Sequence, residues 1–260
     1  MSLLFVAGSA DRVACGAGAS IGNLSVYTTL CWVYPTSLVN LRRIYNKGIG
    51  VHTAHGLALT GTAGDLDFVR GGSTTDISVT SSNTPLSVVN KWYCIAVTIN
   101  TGVSPNGRMY VGTLSAPLKE VTYTAQVDLS GTIFDDSANA FTIGNRYTST
   151  FNNGFPGMIG HVSVWNRVLP YGELDDQRMK PSIARECRFF MHLGTNGLGL
   201  QQDRSGYANN GTVTTATIAP HMPLIAPVSG QKRDVYYLIP APAAAATTRQ
   251  TYLKPMGIFN

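Results

Sequence analysis

The side chains able to do chemistry are few and mostly dispersed. Carboxylates gather at three places: Asp65 with Asp67, Asp135 with Asp136, and Glu173 with Asp175 and Asp176. Acid/base cleavage of a glycosidic bond needs two carboxyl groups about 5 Å apart for retention, or further for inversion. A strand supplies such a pair from every second position, and no predicted strand carries that alternation. The Glu173 group falls on a short predicted helix, where solvated surface residues account for it. The five histidines have no Ser or Cys partner in a nucleophile motif. His161 shares a predicted strand with Ile159, Ser163 and Trp165, where it is expected to be packed or hydrogen-bonded. Gly144-Asn145-Arg146 has no phosphate-loop pattern. Catalysis is therefore not expected.

Cys15, Cys31, Cys94 and Cys187 lie far apart, with no C-x-x-C pair for zinc or redox work. Buried thiols acting as small hydrophobes are expected. Their even number leaves disulfides open. Asn23-Leu24-Ser25 and Asn210-Gly211-Thr212 fit the glycosylation triplet, and without a secretory signal both read as coincidence.

The elements that must position these groups are strands. Hydrophobic residues make up 44% of the 260 and charged residues 13%, against about a quarter in an average domain. A sizeable core under a Ser, Thr, Asn and Gly surface follows, and disorder is excluded. The net charge of +5 is scattered, with Arg42-Arg43 and Lys232-Arg233 the adjacent basic pairs. No basic stripe with interleaved aromatics appears, so no nucleic-acid partner is expected.

Strand signals run through Tyr27–Tyr34, Lys91–Ile99, Arg108–Gly112, Phe141–Gly144 and Gly157–Trp165. In the second, Tyr93, Ile95, Val97 and Ile99 take one face and Trp92, Cys94, Ala96 and Thr98 the other, so both faces should be covered. Asn106-Gly107 marks a hairpin. The spacing predicts one helix, Tyr171–Met179, stopped by Pro181. Trp32, Trp92 and Trp165 should stand on neighbouring strands and fill one shared interior. The fold class is thus all-β, a two-sheet antiparallel sandwich with a C-terminal extended arm. Three regions are expected: 1–185, the sandwich; 186–226, an extension packed on it; and 227–260, a Pro/Ala-rich arm. Met1 to Ala10 contain no Lys or Arg, and no apolar run reaches the length of a membrane span. A soluble chain without a signal peptide is expected.

Taken in order, these segments resemble the laminin-G-like jelly rolls of the concanavalin lectin/glucanase superfamily. Leu30-Cys31-Trp32-Val33-Tyr34-Pro35 is similar to the family's s-x-W-v-x-P strand, and Lys91 to Thr98 to its W-x-x-v-A-v-T strand. Arg108-Met109-Tyr110-Val111-Gly112 is similar to l-Y-v-n-G without the Asn, and Phe141 to Gly144 to l-x-I-G. Phe155 to Leu174 is the fullest match, with Gly160 where the family often has Asp. The likeness covers about residues 1–180. Asp203 to Thr212 is similar to the D-x-S-G-x-g-n-x-G-t element that accompanies such domains.

The resemblance implies several expectations. Enzymes of the family use Glu-x-Asp-x-Glu strands, absent from the predicted strands here, so a non-enzymatic role follows. No cofactor is implied except Ca²⁺, which relatives hold with Asp and Asn oxygens on edge loops. The candidates are Asp135 and Asp136, then Asp65 and Asp67, and solvated turn residues remain the other reading. Relatives recur as phage virion proteins, so the first expectation is a structural or decoration protein on the outside of a virion. Its partners would be other subunits of the particle, in a homo-oligomer or capsid, reached by an arm ending in Tyr252, Leu253, Ile258 and Phe259. The alternative is a lectin-like carbohydrate-binding module. Its platform would be Tyr147 and Phe151 beside Asn145, Asn152 and Asn153.

Overall fold

The computed structural model describes residues 1–48, 55–61, 64–146 and 153–220, all within one compact unit, Met1–Pro227. Tyr147, Phe151, Asn152 and the arm residues Tyr252, Leu253, Ile258 and Phe259 lie outside the described residues. In chain order the strands are β1 (Ser2–Phe5), β2 (Arg12–Ala14), β3 (Val26–Pro35), β4 (Arg42–Lys47), β5 (His55–Thr60), β6 (Asp65–Arg70), β7 (Ile77–Ser81) and β8 (Tyr93–Asn100). They continue as β9 (Gly107–Gly112), β10 (Lys119–Glu120), β11 (Tyr123–Val127), β12 (Phe141–Ile143) and β13 (Gly157–Trp165). The helix α1 (Tyr171–Met179) follows, then β14 (Cys187–His192), β15 (Thr212–Thr214) and β16 (Thr217–Ala219).

Two antiparallel sheets result. Sheet I runs β10-β9-β8-β3-β13-β1-β16, with β14 also paired to β13. Sheet II runs β11-β7-β6-β5-β4-β12-β2-β15. This is a jelly-roll sandwich, and β4 to β7, unmarked in the sequence reading, build half of sheet II. The described part of the region 186–226 supplies strands to both sheets. β14 and β16 complete sheet I beside β13 and β1, and β15 completes sheet II beside β2.

Strand alternation decides what each face buries. On β3, Tyr27, Cys31 and Val33 enter the core between the sheets, together with Tyr93, Ile95, Val97 and Ile99 of β8. From sheet II come Tyr45, Leu57, Leu59, Leu66, Phe68, Ile77 and Val79. The other face of sheet I is also sealed. There Leu30, Trp32, Cys94, Ala96, Trp165 and Phe190 form a second cluster with Leu169 and Leu174, and Trp92 packs against it. The tryptophans are thus neighbours, as expected, but beneath α1 and not between the sheets.

The helix is pinned there by Arg178. Its guanidinium donates to both carboxylate oxygens of Asp175 and to the carbonyl of Thr113 at 2.5 Å, while Asp175 accepts from the Leu118 amide at 2.8 Å. Glu173 pairs with Arg167. These acids hold the helix in place, where the sequence reading made them solvated surface residues.

One glycine of the l-x-I-G segment has a steric cause. Gly144 sits at φ +84°, and a Cβ there would lie 2.3 Å from the Phe5 ring. The four cysteines are all buried and free.

Candidate functional site

Two outer faces could present a site. That of sheet I is occupied by α1 and its apolar cluster. A Ser–His pair does lie there, His161 Nε2 against Ser163 Oγ at 2.9 Å. Both are fully buried, and Ser163 Oγ also donates to the Leu30 carbonyl. Burial and the neighbouring His192 push the His161 pKa well below its usual value. No substrate reaches this pair. A register shift between Ile159 and His161 also corrects the sequence reading. Ile159 turns into the inter-sheet core, while His161 and Trp165 turn outward.

The outer face of sheet II is different. In-register residues across four strands read Thr80, Asp67, Ala58, Arg43. Alternation explains the first three: Leu66 and Phe68 face the core, so Asp65 and Asp67 face out. Arg43 owes its place to a bulge between Arg43 and Tyr45, which sends both Ile44 and Tyr45 into the core. The adjacent row reads Ser78, Val69, Gly56, Asn46, Thr142, Ala14, Thr212. Within these rows Ala58, Asn46 and Thr142 are buried, while Asp67 and Arg43 stay partly exposed.

The polar groups are coupled. Thr80 donates its hydroxyl to Asp67 Oδ1 at 2.9 Å. Burial raises the Asp67 pKa, opposed by that bond and by Arg43. Arg43 is lowered, first by burial and then by the nearby charge of Arg146, with Asp67 acting the other way. Asn153 ties the two arginines together. Its carbonyl accepts from the Arg43 amide at 2.8 Å, its side-chain oxygen from Arg146 Nη1 at 3.4 Å, and its amide donates to the Leu41 carbonyl at 2.7 Å. A guanidinium, a carboxylate and a hydroxyl in one row can donate and accept across the vicinal hydroxyls of a sugar ring.

The sequence-predicted positions divide here. Asn153 lies at this site. Asn145 does not present itself to a ligand: it is fully buried, its amide donates to the Ser9 carbonyl at 3.0 Å, and its oxygen accepts from the Arg146 amide at 2.8 Å. Asp136 is likewise buried and spoken for, by Arg70 at 2.8 Å and the Asn23 amide at 2.6 Å. Asp135 has its pKa lowered to about 2 by hydrogen bonds from the Ser137 hydroxyl and amide and from Asn23 Nδ2. The two acids therefore brace the loop ahead of β12. Among the described residues no group of three or more His, Cys, Asp or Glu gathers as a metal site. Sequence reasoning missed Arg43 and Thr80, because β4 and β7 were not read as strands. Asp65 and Asp67, at i and i+2 of β6, are an alternating carboxylate pair that the sequence reading did not place on a strand.

Comparison with known proteins follows this geometry. A candidate carbohydrate-binding protein from Bacteroides ovatus shares the fold at a TM-score of 0.58 and 17% identity, over 85% of this chain and 61% of that one. The chain thus spans about three fifths of that protein's length. Domains LG4-5 of the mouse laminin α1 chain match at a TM-score of 0.43 and 13% identity, over 66% of this chain and 45% of theirs. The enzymatically active domain of tailspike protein 2 from bacteriophage CBA120 matches at 0.45 and 11%, over 68% and 30%. No curated protein sequence matches. The family model of the laminin G type, Laminin_G_3, matches residues 7–174, and with that span the chain belongs to this family of the concanavalin A-like lectin/glucanases superfamily.

Proposed function

We propose that the protein is a carbohydrate-binding domain whose site is the outer face of sheet II. The observation that carries this is the row Thr80, Asp67, Arg43, backed by Arg146 and Asn153, on a sheet face that no helix covers among the described residues. Glycans are the partners this reading requires. Placement on the outside of a virion is compatible with it, since an adhesive coat protein would use such a face. That finer reading rests on the arm at 227–260.

Asp65 and Asp67 on one strand face favour a second reading, glycoside hydrolysis, with Asp67 as the acid because burial raises its pKa. Binding is preferred because Asp67 is already engaged by Thr80, and Asp65 by the Thr84 amide at 2.9 Å. A glycan array followed by calorimetry on Arg43→Ala and Asp67→Ala tests both. Saccharide binding that falls at least tenfold in each variant, with no reducing ends released by the parent, is the expected result. Release of reducing ends that stops in Asp67→Ala would replace binding by catalysis. Unchanged binding in both variants would move the site elsewhere.

A further inference from the structure

The inner side of sheet II changes character at one end. Lys47, His55 and Arg70 stand side by side in register on β4, β5 and β6, all facing the core and all buried. One row earlier, the same strands offer Tyr45, Leu57 and Phe68. Two fixed cations thus enter the sandwich interior. One buried carboxylate answers them: Asp136 pairs with Arg70 Nη1 at 2.8 Å, both side chains 1% exposed. Lys47 Nζ donates to the Asn139 carbonyl at 2.6 Å and feels the charges of Asp136 and Asp135. His55 adds no charge, because burial, Arg70 and Lys47 all push its pKa well below the usual value.

Opposite this row, on sheet I, Tyr27 sets its ring 4.9 Å from that of His55. Four polar atoms at this end are buried without a hydrogen-bond partner: Arg70 Nε, Arg70 Nη2, Tyr27 Oη and His55 Nε2. Buried polar groups are almost always satisfied, by protein, water or an ion. The guanidinium nitrogens can only donate, and the phenol and the imidazole N–H can donate as well. A metal cation is excluded by two positive neighbours. A water there could donate to the Tyr27 oxygen and to an unprotonated His55 nitrogen, but it brings no charge to the two guanidinium donors. An anion accepts from the guanidinium and the phenol, beside two cations that face one buried carboxylate, Asp136, with Asp135 near Lys47 at the surface.

We propose that this end of the core is a binding site for a small monovalent anion of the halide class, held by Arg70 of sheet II and Tyr27 of sheet I, with His55 beside them. The ion neutralises the buried charge and bridges the two sheets, so its binding adds to the stability of the folded chain. It is independent of the glycan face, which lies on the other side of sheet II.

The test uses the full chain and bromide as the probe. Crystals grown or soaked in sodium bromide should show anomalous density within hydrogen-bonding reach of Arg70 and Tyr27. Thermal unfolding at constant ionic strength, with chloride exchanged for gluconate, should show Tm rising with halide concentration. Tyr27→Phe keeps the ring in the core and removes one donor, so the half-saturating chloride concentration should rise several-fold. Arg70→Met should remove the halide dependence, and Tyr27→Phe reports on the site even if Arg70→Met fails to fold. Bromide found only at surface arginines, or a Tm response that Tyr27→Phe leaves unchanged, overturns the proposal.

Discussion

Trp32 donates its indole N–H to the carbonyl oxygen of Arg178 at 3.1 Å, so the middle of sheet I is hydrogen-bonded to the end of the covering helix. Both residues are also clamped sideways, Trp32 by the apolar cluster and Arg178 by Asp175 and Thr113. Trp32→Phe keeps an aromatic ring but loses that bond and part of the buried area. Stability should fall by about 2 kcal/mol in urea unfolding. Saccharide binding should be unchanged, because the proposed site is on the other sheet.

Asp203 shows what the D-x-S-G element does. Its carboxylate accepts four hydrogen bonds, from the amides of Phe190, Ser205 and Asn209 and from Asn209 Nδ2, at 2.7 to 3.0 Å. Asn209 then reaches Ser20 and the Arg188 carbonyl. Asp203→Ala leaves buried amide donors without acceptors. A loss of about 3 kcal/mol is expected by denaturant titration. Asp203→Asn, which keeps two acceptor lone pairs, should lose less.

Acid should weaken the fold through His161. In the folded chain its pKa lies well below 6.5, because burial and His192 disfavour the charged ring. The unfolded chain binds that proton first, so stability is complete above about pH 6.5 and declines as pH falls toward the folded value. Unfolding midpoints from pH 7.5 to 4.5 should show this slope. In His161→Gln the slope should be reduced across the same window, the residual belonging to His55, also lowered, and to the acids.

Shortening the chain separates structural tail from arm. A chain ending at Arg185 lacks β14, β15 and β16, which exposes an edge of β13 and removes Phe189, Met191 and Phe190 from the two clusters. It should be insoluble or show no cooperative melt by circular dichroism. A chain ending at Pro227 retains all described strands and should melt as a single transition.

The fold was legible where alternation is strong. β13 and α1 have the bounds that their residue patterns imply, and the covering of β8 on both faces follows from its two apolar sets. Sheet II was harder. β4 to β7 carry Lys47, His55 and Arg70 at inward positions, and those residue types look solvent-facing in a pattern of apolar and polar alternation. The bulge at Arg43 breaks the period of two as well. For the site, Asn153 was named from the sequence, and Asp65-Leu66-Asp67-Phe68 carries a readable signal, since its alternation separates two acids from two core residues. The partners of Asp135 and Asp136, Arg70 on β6 and Asn23 in the loop before β3, are distant in sequence and cannot be inferred from local spacing.

The opening strand has its two sheet neighbours at the far end of the folding unit: β1 lies between β13 and β16, residues 157–159 and 217–219. On a ribosome, Leu3 and Phe5 therefore precede β13, the first strand they pair with, by about 150 residues of synthesis. Few local contacts can hold them meanwhile, so closure of the sandwich is a late, slow event. Slowing synthesis between β1 and β13 prolongs that interval and should lower the soluble yield.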